Sequence, residues 1–98
     1  MALVIDPDEI EIATIRELVN VTGMRVLEIG CGDGRMTFDY AGDAASVFAI
    51  DPEEDLIEQA RAATPARLRR RIRFEAADAA EIDLPKREFD LALFSWSL

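Results

Sequence analysis

At 98 residues the chain has room for one domain, or part of one. Half of its residues are apolar and 32% are charged, an ordinary balance for a folded chain, and no apolar run nears the roughly 18 residues that span a bilayer. A net charge of −9 speaks against nucleic acid as a partner of the surface at large; the absence of histidine excludes imidazole acid–base chemistry and imidazole metal ligands, and a single cysteine, Cys31, excludes an internal disulfide.

Residues 1–23 are expected to form a leading helix. In "DPDEIEIATIRELVN" Asp6 suits the N-cap, Pro7 the first helical position and Glu9 the capping box. Ile12, Ile15, Leu18 and Val19 follow at helical spacing until Asn20 and Gly23 end the pattern. The start has no basic segment and its apolar stretch is broken at Asp6-Pro7, so a signal peptide is not expected and the cytoplasm is the expected compartment.

Met24–Ile29 reads as the first strand, short, β-rich and bounded by glycine. It enters "GCGDG", with Gly30, Gly32 and Gly34 at every second position, and then "RMTFDY", a short helix stopping near Gly42. A strand, a glycine turn and a helix start offer bare backbone N–H groups to a polar ligand.

"SVFAI", residues 46–50, is the second strand and runs into "DPEEDLIEQARAA". There Asp51 is the expected helix cap, Pro52 the first helical residue, and Leu56, Ile57, Ala60 and Ala63 the inward face, with a break at Thr64-Pro65. "RIRFEAAD" reads as a third strand and "FDLALFSWSL" as a fourth; "AAEIDLPKRE" between them has room for one helical turn. Six arginines fall between Arg61 and Arg73. With no aromatic residue interleaved among them, they read first as a solvated helix end, the alternative being a phosphate- or partner-binding patch.

Strands alternating with helices predict a parallel sheet with right-handed crossovers, which binds ligands at the carboxyl ends of its strands. Gly30–Gly34, Asp51, Asp78, Ser95 and Trp96 all fall at those ends. The glycine spacing is G-x-G-x-G, with Arg35 where the dinucleotide fingerprint has its third glycine. Asp51 lies 19 positions after Gly32, which suits a carboxylate on ribose hydroxyls. The pattern fits a nucleoside-bearing cofactor and does not by itself require a pyrophosphate.

These motifs resemble, in order, those of the class I S-adenosylmethionine-dependent methyltransferases. "VLEIGCGDGRMT" is similar to the family's first motif, "FAIDP" to its acidic second-strand end, "FEAADAAEIDLP" to its third-strand end and "FDLALFSWSL" to its fourth strand. The resemblance implies an α/β, Rossmann-like parallel sheet of order 3-2-1-4 with flanking helices, truncated after the fourth strand of a seven-stranded family fold. Residues 1–98 would then be the cofactor-binding, N-terminal part of the domain.

The resemblance also implies roles. Glu28 positions the glycine loop and the amino group of the cofactor's methionine part; Gly30, Gly32 and Gly34 let that part approach the backbone, with Cys31 as a small filler. Asp51 holds the ribose, Pro52 borders the adenine, Asp78 accepts the adenine amino group, and Ala79 presents its N–H to the ring. Phe94 and Ser95 pass beneath the methionine portion, and Trp96 either lines the acceptor pocket or packs in the core.

The implied activity is methyl transfer from S-adenosylmethionine to an unidentified acceptor, expected to be a small molecule, with no metal. The N-P-P-Y type signature of certain amino-group methylating enzymes is absent; "FSWS" stands in its place, and no base is assigned. The alternative is a non-catalytic S-adenosylmethionine-binding or assembly module, with a nicotinamide-binding half a weaker third reading. An apolar fourth strand left as an edge would template pairing, so a homodimer or a complementary fragment is expected to cover it.

Overall fold

Five parallel strands carry the structure, a computed structural model in which residues 11–14, 20–81 and 88–95 are described. In chain order the elements are β1 (Glu11–Thr14), β2 (Arg25–Ile29), α1 (Arg35–Tyr40), β3 (Ser46–Asp51), α2 (Glu54–Ala63), a 3₁₀ turn (Ala66–Leu68), β4 (Ile72–Ala76) and β5 (Leu91–Phe94). The spatial order is β1-β5-β2-β3-β4. The four strands expected from sequence therefore stand in the expected order, third-second-first-fourth, all parallel.

The fifth strand corrects two expectations. Glu11–Thr14 is not helical: it pairs in parallel with β5, from Glu11 opposite Leu91 to Thr14 opposite Phe94. The physical reason is tertiary. "EIAT" carries β-branched residues, and the edge of β5 offers backbone donors and acceptors that a helix, already self-bonded, would leave unpaired. For the same reason β5 is not the open edge that the expected homodimer or complementary fragment was to cover. The proposed helix cap at Asp6 and the apolar residues from Ile15 to Val19 lie outside the described residues.

Both sheet faces are buried, which is why β5 reads as a continuous apolar run and why β2, apart from Arg25 at its start and the buried Glu28, is apolar on both faces and does not alternate. Val26, Val47, Ala49, Phe74, Leu91 and Leu93 share one face with Ile57 and Ala60 of α2. Leu27, Ile29, Ile50, Ala92 and Phe94 form the other cluster. The α2 helix starts later than expected. Its N-cap is Glu53, and Asp51 is the last residue of β3. Ala63 is exposed, and Thr64 takes the inward place one step on, its hydroxyl donating to the Ala60 carbonyl at 2.7 Å. At the amino end of the sheet, Arg25 and Asp90 tie β2 to the approach of β5. The backbone N–H of Arg25 donates to Asp90 Oδ2 at 2.9 Å, its Nε to the same oxygen at 3.1 Å, and its NH2 to Oδ1 at 3.0 Å.

Candidate functional site

The carboxyl ends of β2, β3, β4 and β5 are stitched into one rim by backbone hydrogen bonds. Gly30 and Cys31 both donate their N–H to the Ile50 carbonyl, at 2.9 and 3.1 Å, which folds the glycine loop over the end of β3. The Ser95 N–H donates to the Ile29 carbonyl at 3.2 Å, and the Ala77 N–H to the Asp51 carbonyl at 3.0 Å. Four segments distant in sequence thus meet around Gly30–Gly34.

Glycine at every second position has separable causes. Gly30, Gly32 and Gly34 all have positive φ, at 80°, 58° and 85°. At Gly34 a Cβ would stand 3.0 Å from the ring tips of Phe38 and Phe74 and 3.2 Å from the Ala60 methyl, so this glycine serves the packing of α1 and α2 on β4. At Gly32 nothing stands within 4 Å of where a Cβ would sit. The space over Gly32 is open, and its backbone forms the floor of the rim.

Asp51 is nearly buried, at 7% exposure, and holds that floor in place. Its Oδ2 accepts the Gly32 N–H at 3.0 Å and its Oδ1 accepts the Glu53 N–H at 2.9 Å, so one carboxylate clamps the loop and orders the entry to α2. Each oxygen keeps a second lone pair for a hydroxyl donor.

Glu28 is wholly buried, and three hydroxyls surround it. Thr37 Oγ1 and Tyr40 OH donate to Oε1 at 2.6 and 2.5 Å; Ser95 Oγ donates to Oε2 at 2.5 Å and lies 2.9 Å from the Gly30 carbonyl. One carboxyl group therefore joins the end of β2, helix α1 and the end of β5. Burial, and then Glu28 itself, push the Tyr40 phenol well above its ordinary value, so it stays a donor. Burial likewise pushes the Cys31 thiol up, with Glu28 and Asp51 adding to the effect. Cys31 is a protonated, buried filler.

The remaining expected residues lie around this centre. Pro52 is exposed just beyond Asp51. Asp78 is exposed two residues past β4, its Oδ1 accepting the Ala80 N–H at 2.9 Å, and Ala79 is half-buried. Phe94 is 1% exposed and packs with Ile29 and Ile50, so its side chain belongs to the core beneath the rim. Trp96 lies outside the described residues. Thr37 and Tyr40 were not found from sequence. Their signal was their spacing: three apart on α1, they share a helix face, and a buried acid on the preceding strand requires donors from its neighbours. Among the described residues no group of acidic or cysteine side chains is arranged to hold a metal, and no helix is long and apolar enough to cross a membrane.

Comparison with known proteins gives four findings. A family model described as a methyltransferase domain matches residues 26–98. Aklanonic acid methyltransferase of Streptomyces sp. strain C5 is 41% identical over 81 residues, covering 80% of this chain and 37% of that protein. The crystal structure of an S-adenosylmethionine-dependent methyltransferase from Mesorhizobium loti superposes with a TM-score of 0.72 at 34% identity, over 85% of this chain and 37% of that one. Magnesium-protoporphyrin O-methyltransferase of Rhodobacter capsulatus is 34% identical over 76 residues, covering 78% of this chain and 34% of its own length. The chain spans about a third of the length of these curated relatives.

Proposed function

The chain belongs to the methyltransferase-domain family, and we propose that it binds S-adenosylmethionine along the rim and forms the cofactor-binding part of a methyltransferase. The observation that carries this reading is the open space above Gly32, where a Cβ would meet nothing, beside a nearly buried carboxylate, Asp51, at the end of the next strand. Backbone without side chains next to an acid suits a ligand with an amino-acid part and a ribose.

In this reading Asp51 accepts the ribose hydroxyls with its free lone pairs while its bond to the Gly32 N–H keeps the loop from moving away. Pro52 and Ala79 border the adenine, and Asp78 accepts its amino group. Glu28 is a positioning residue. Its oxygens are engaged by Thr37, Tyr40 and Ser95, so it fixes the glycine loop and the Ser95 segment against each other. The cofactor supplies a methyl group activated on a sulfonium sulfur; the protein's share is alignment and exclusion of water. The acceptor is a small organic molecule, supported by the two relatives named for aklanonic acid and magnesium-protoporphyrin. The working compartment is the cytoplasm, supported by the unpaired Cys31.

Isothermal titration with S-adenosylhomocysteine, the demethylated product, tests the reading. The parent chain binds it, and Asp51→Ala weakens binding by about 1.5–3 kcal/mol, the scale of hydrogen bonds to a charged group, or roughly ten- to a hundredfold in Kd. Gly32→Val removes binding by filling the open space. Preference for NAD over S-adenosylhomocysteine, or an Asp51→Ala chain that binds as tightly as the parent, overturns it.

A further inference from the structure

The arginine-rich run "RLRRRIR" takes no part in the rim. By sequence alone it reads as a solvated helix end, because no aromatic residue interleaves it. The fold supplies the aromatics from elsewhere. Phe48 of β3 is the register partner of Arg73 on β4, and the Arg73 guanidinium sits 5.3 Å from the centroid of its ring. Phe89, just before β5, stacks on Phe48 with centroids 6.0 Å apart and planes 11° from parallel. The result is a layered stack of guanidinium, ring and ring.

That stack lines a groove of about 780 Å³, a volume in the range of small-molecule sites. Arg25 and Ser46, the first residues of β2 and β3, lie along it, as does Ile72 at the start of β4. The groove is thus at the amino ends of the strands, the opposite end of the sheet from the rim. Arg69, Arg70 and Arg71 complete five arginines in its lining, against two acids, Glu75 and Glu88. Some of this charge is engaged. Arg25 is paired with Asp90, Arg73 with Glu75 at 3.2 Å, and Arg71 donates through NH1 to the carbonyls of Gly42 and Ala44 at 3.0 and 2.6 Å. Arg69 and Arg70 are exposed, and their guanidinium groups have no acceptor among the described residues. Their guanidinium groups are therefore available for a bidentate anion.

We propose that this groove binds a small phosphorylated ligand carrying a planar ring, of mononucleotide size. Phosphate sits on Arg69 and Arg70, and the ring extends the stack built on Phe48 and Phe89. Charge decides between a small ligand and a long polyanion. The net charge of −9 opposes a long polyanion, whereas a single nucleotide needs only the local cluster of arginines.

Titration of the 98-residue chain with guanosine diphosphate tests this, because a guanine nucleotide carries phosphate and ring without the adenosine that the rim is proposed to hold. Guanosine diphosphate binds, guanosine alone does not, and inorganic pyrophosphate binds several-fold more weakly. The exposed double variant Arg69→Ala/Arg70→Ala weakens guanosine diphosphate about tenfold or more, as expected for charge-assisted contacts, with an unchanged thermal melt. Phe89→Ala brings guanosine diphosphate down to the pyrophosphate level. Binding weakens as the salt rises and the Debye length contracts from about 30 Å to about 8 Å. Four results overturn the proposal: no binding; equal affinity in the double arginine variant; displacement of guanosine diphosphate by S-adenosylhomocysteine, which would place it on the rim; or affinity for single-stranded RNA that exceeds the nucleotide's and grows with length, which would make this a nucleic acid surface. Rim binding of S-adenosylhomocysteine is measured separately, so either result stands without the other.

Discussion

Gly32 and Gly34 are two residues apart, both at positive φ, yet alanine is expected to act differently at each. At either position the left-handed backbone costs a side chain about 1–2 kcal/mol. At Gly32 that is the whole cost, because the new Cβ meets nothing within 4 Å. At Gly34 the Cβ arrives 3.0 Å from two phenyl tips and 3.2 Å from a methyl. Each of the three must give by a few tenths of an ångström. Phe38 and Phe74 are packed edge to face at 5.9 Å, and Ala60 is wholly buried on α2. Overpacking of this kind adds about 1–3 kcal/mol, so Gly34→Ala should cost about 2–5 kcal/mol in total. That is a large share of the roughly 5–15 kcal/mol typical of a domain this size, and it lowers Tm by about 4–8 °C per kcal/mol. Urea denaturation followed by circular dichroism measures both variants, and titration with S-adenosylhomocysteine accompanies it. Gly34→Ala should lose stability well beyond Gly32→Ala, while Gly32→Ala should lose more affinity than stability. Equal destabilisation by the two would show that the backbone alone demands glycine and that the packing account of Gly34 is wrong.

Tyr40→Phe and Thr37→Val should each cost about 1–3 kcal/mol, and the pair more than the sum, because Oε1 of buried Glu28 keeps one donor in either single variant and neither in the double; a double-mutant cycle in urea checks this. Hydrogen bonds and charge from Arg25 hold the Asp90 carboxyl down to about 2, below its ordinary 3.8. Its contribution is therefore fully present above about pH 4 and is lost as the pH falls toward 2, so Asp90→Asn should flatten this part of the stability–pH curve, measured by denaturation at several acid pH values. In β1, proline removes a backbone donor, and in a strand paired on one side only alternate residues point theirs at the neighbour. One of Ile12→Pro and Ala13→Pro should therefore release β1 from β5 and produce concentration-dependent association in sedimentation, while the other leaves the behaviour unchanged.

Much of the fold was legible because local signals agreed with one another. The strand at Met24–Ile29, the glycine turn and the break at Thr64-Pro65 each rest on residues whose backbone preferences admit few alternatives. The strand order followed from handedness once those elements were placed. Segment 11–14 was illegible for the opposite reason. "EIAT" fits a helical stripe and a strand equally well, and what decides between them is an edge provided by Leu91–Phe94, some 80 residues away. Asp51 was recognised as an acid at the right place, but its assignment as the cap of α2 missed that the same carboxylate reaches back to Gly32.

The hydroxyls around Glu28 and the aromatics around the arginines failed to show for a common reason. Sequence displays neighbours along the chain, whereas both clusters are built across strands. Glu28 draws donors from α1 and from Ser95, 67 positions away. Arg73 finds Phe48 through the pairing of β3 with β4, and Phe89 arrives from the far side of a connection. A buried carboxyl group still leaves a trace in sequence, since it must have donors and the adjacent helix carries two hydroxyls at matching spacing. An exposed guanidinium leaves none, because water satisfies it as well as an aromatic face does. The two proposed sites differ in how firmly they are held. The rim is over-determined, with Asp51 bonded to the Gly32 N–H and Glu28 bonded to Ser95, whose hydroxyl also lies on the Gly30 carbonyl, so its shape should survive conservative change on the surface. The basic groove is held open by exposed side chains and one stacked pair, so its ligand preference should change with single substitutions at Phe89 or Arg70 while the rim remains intact.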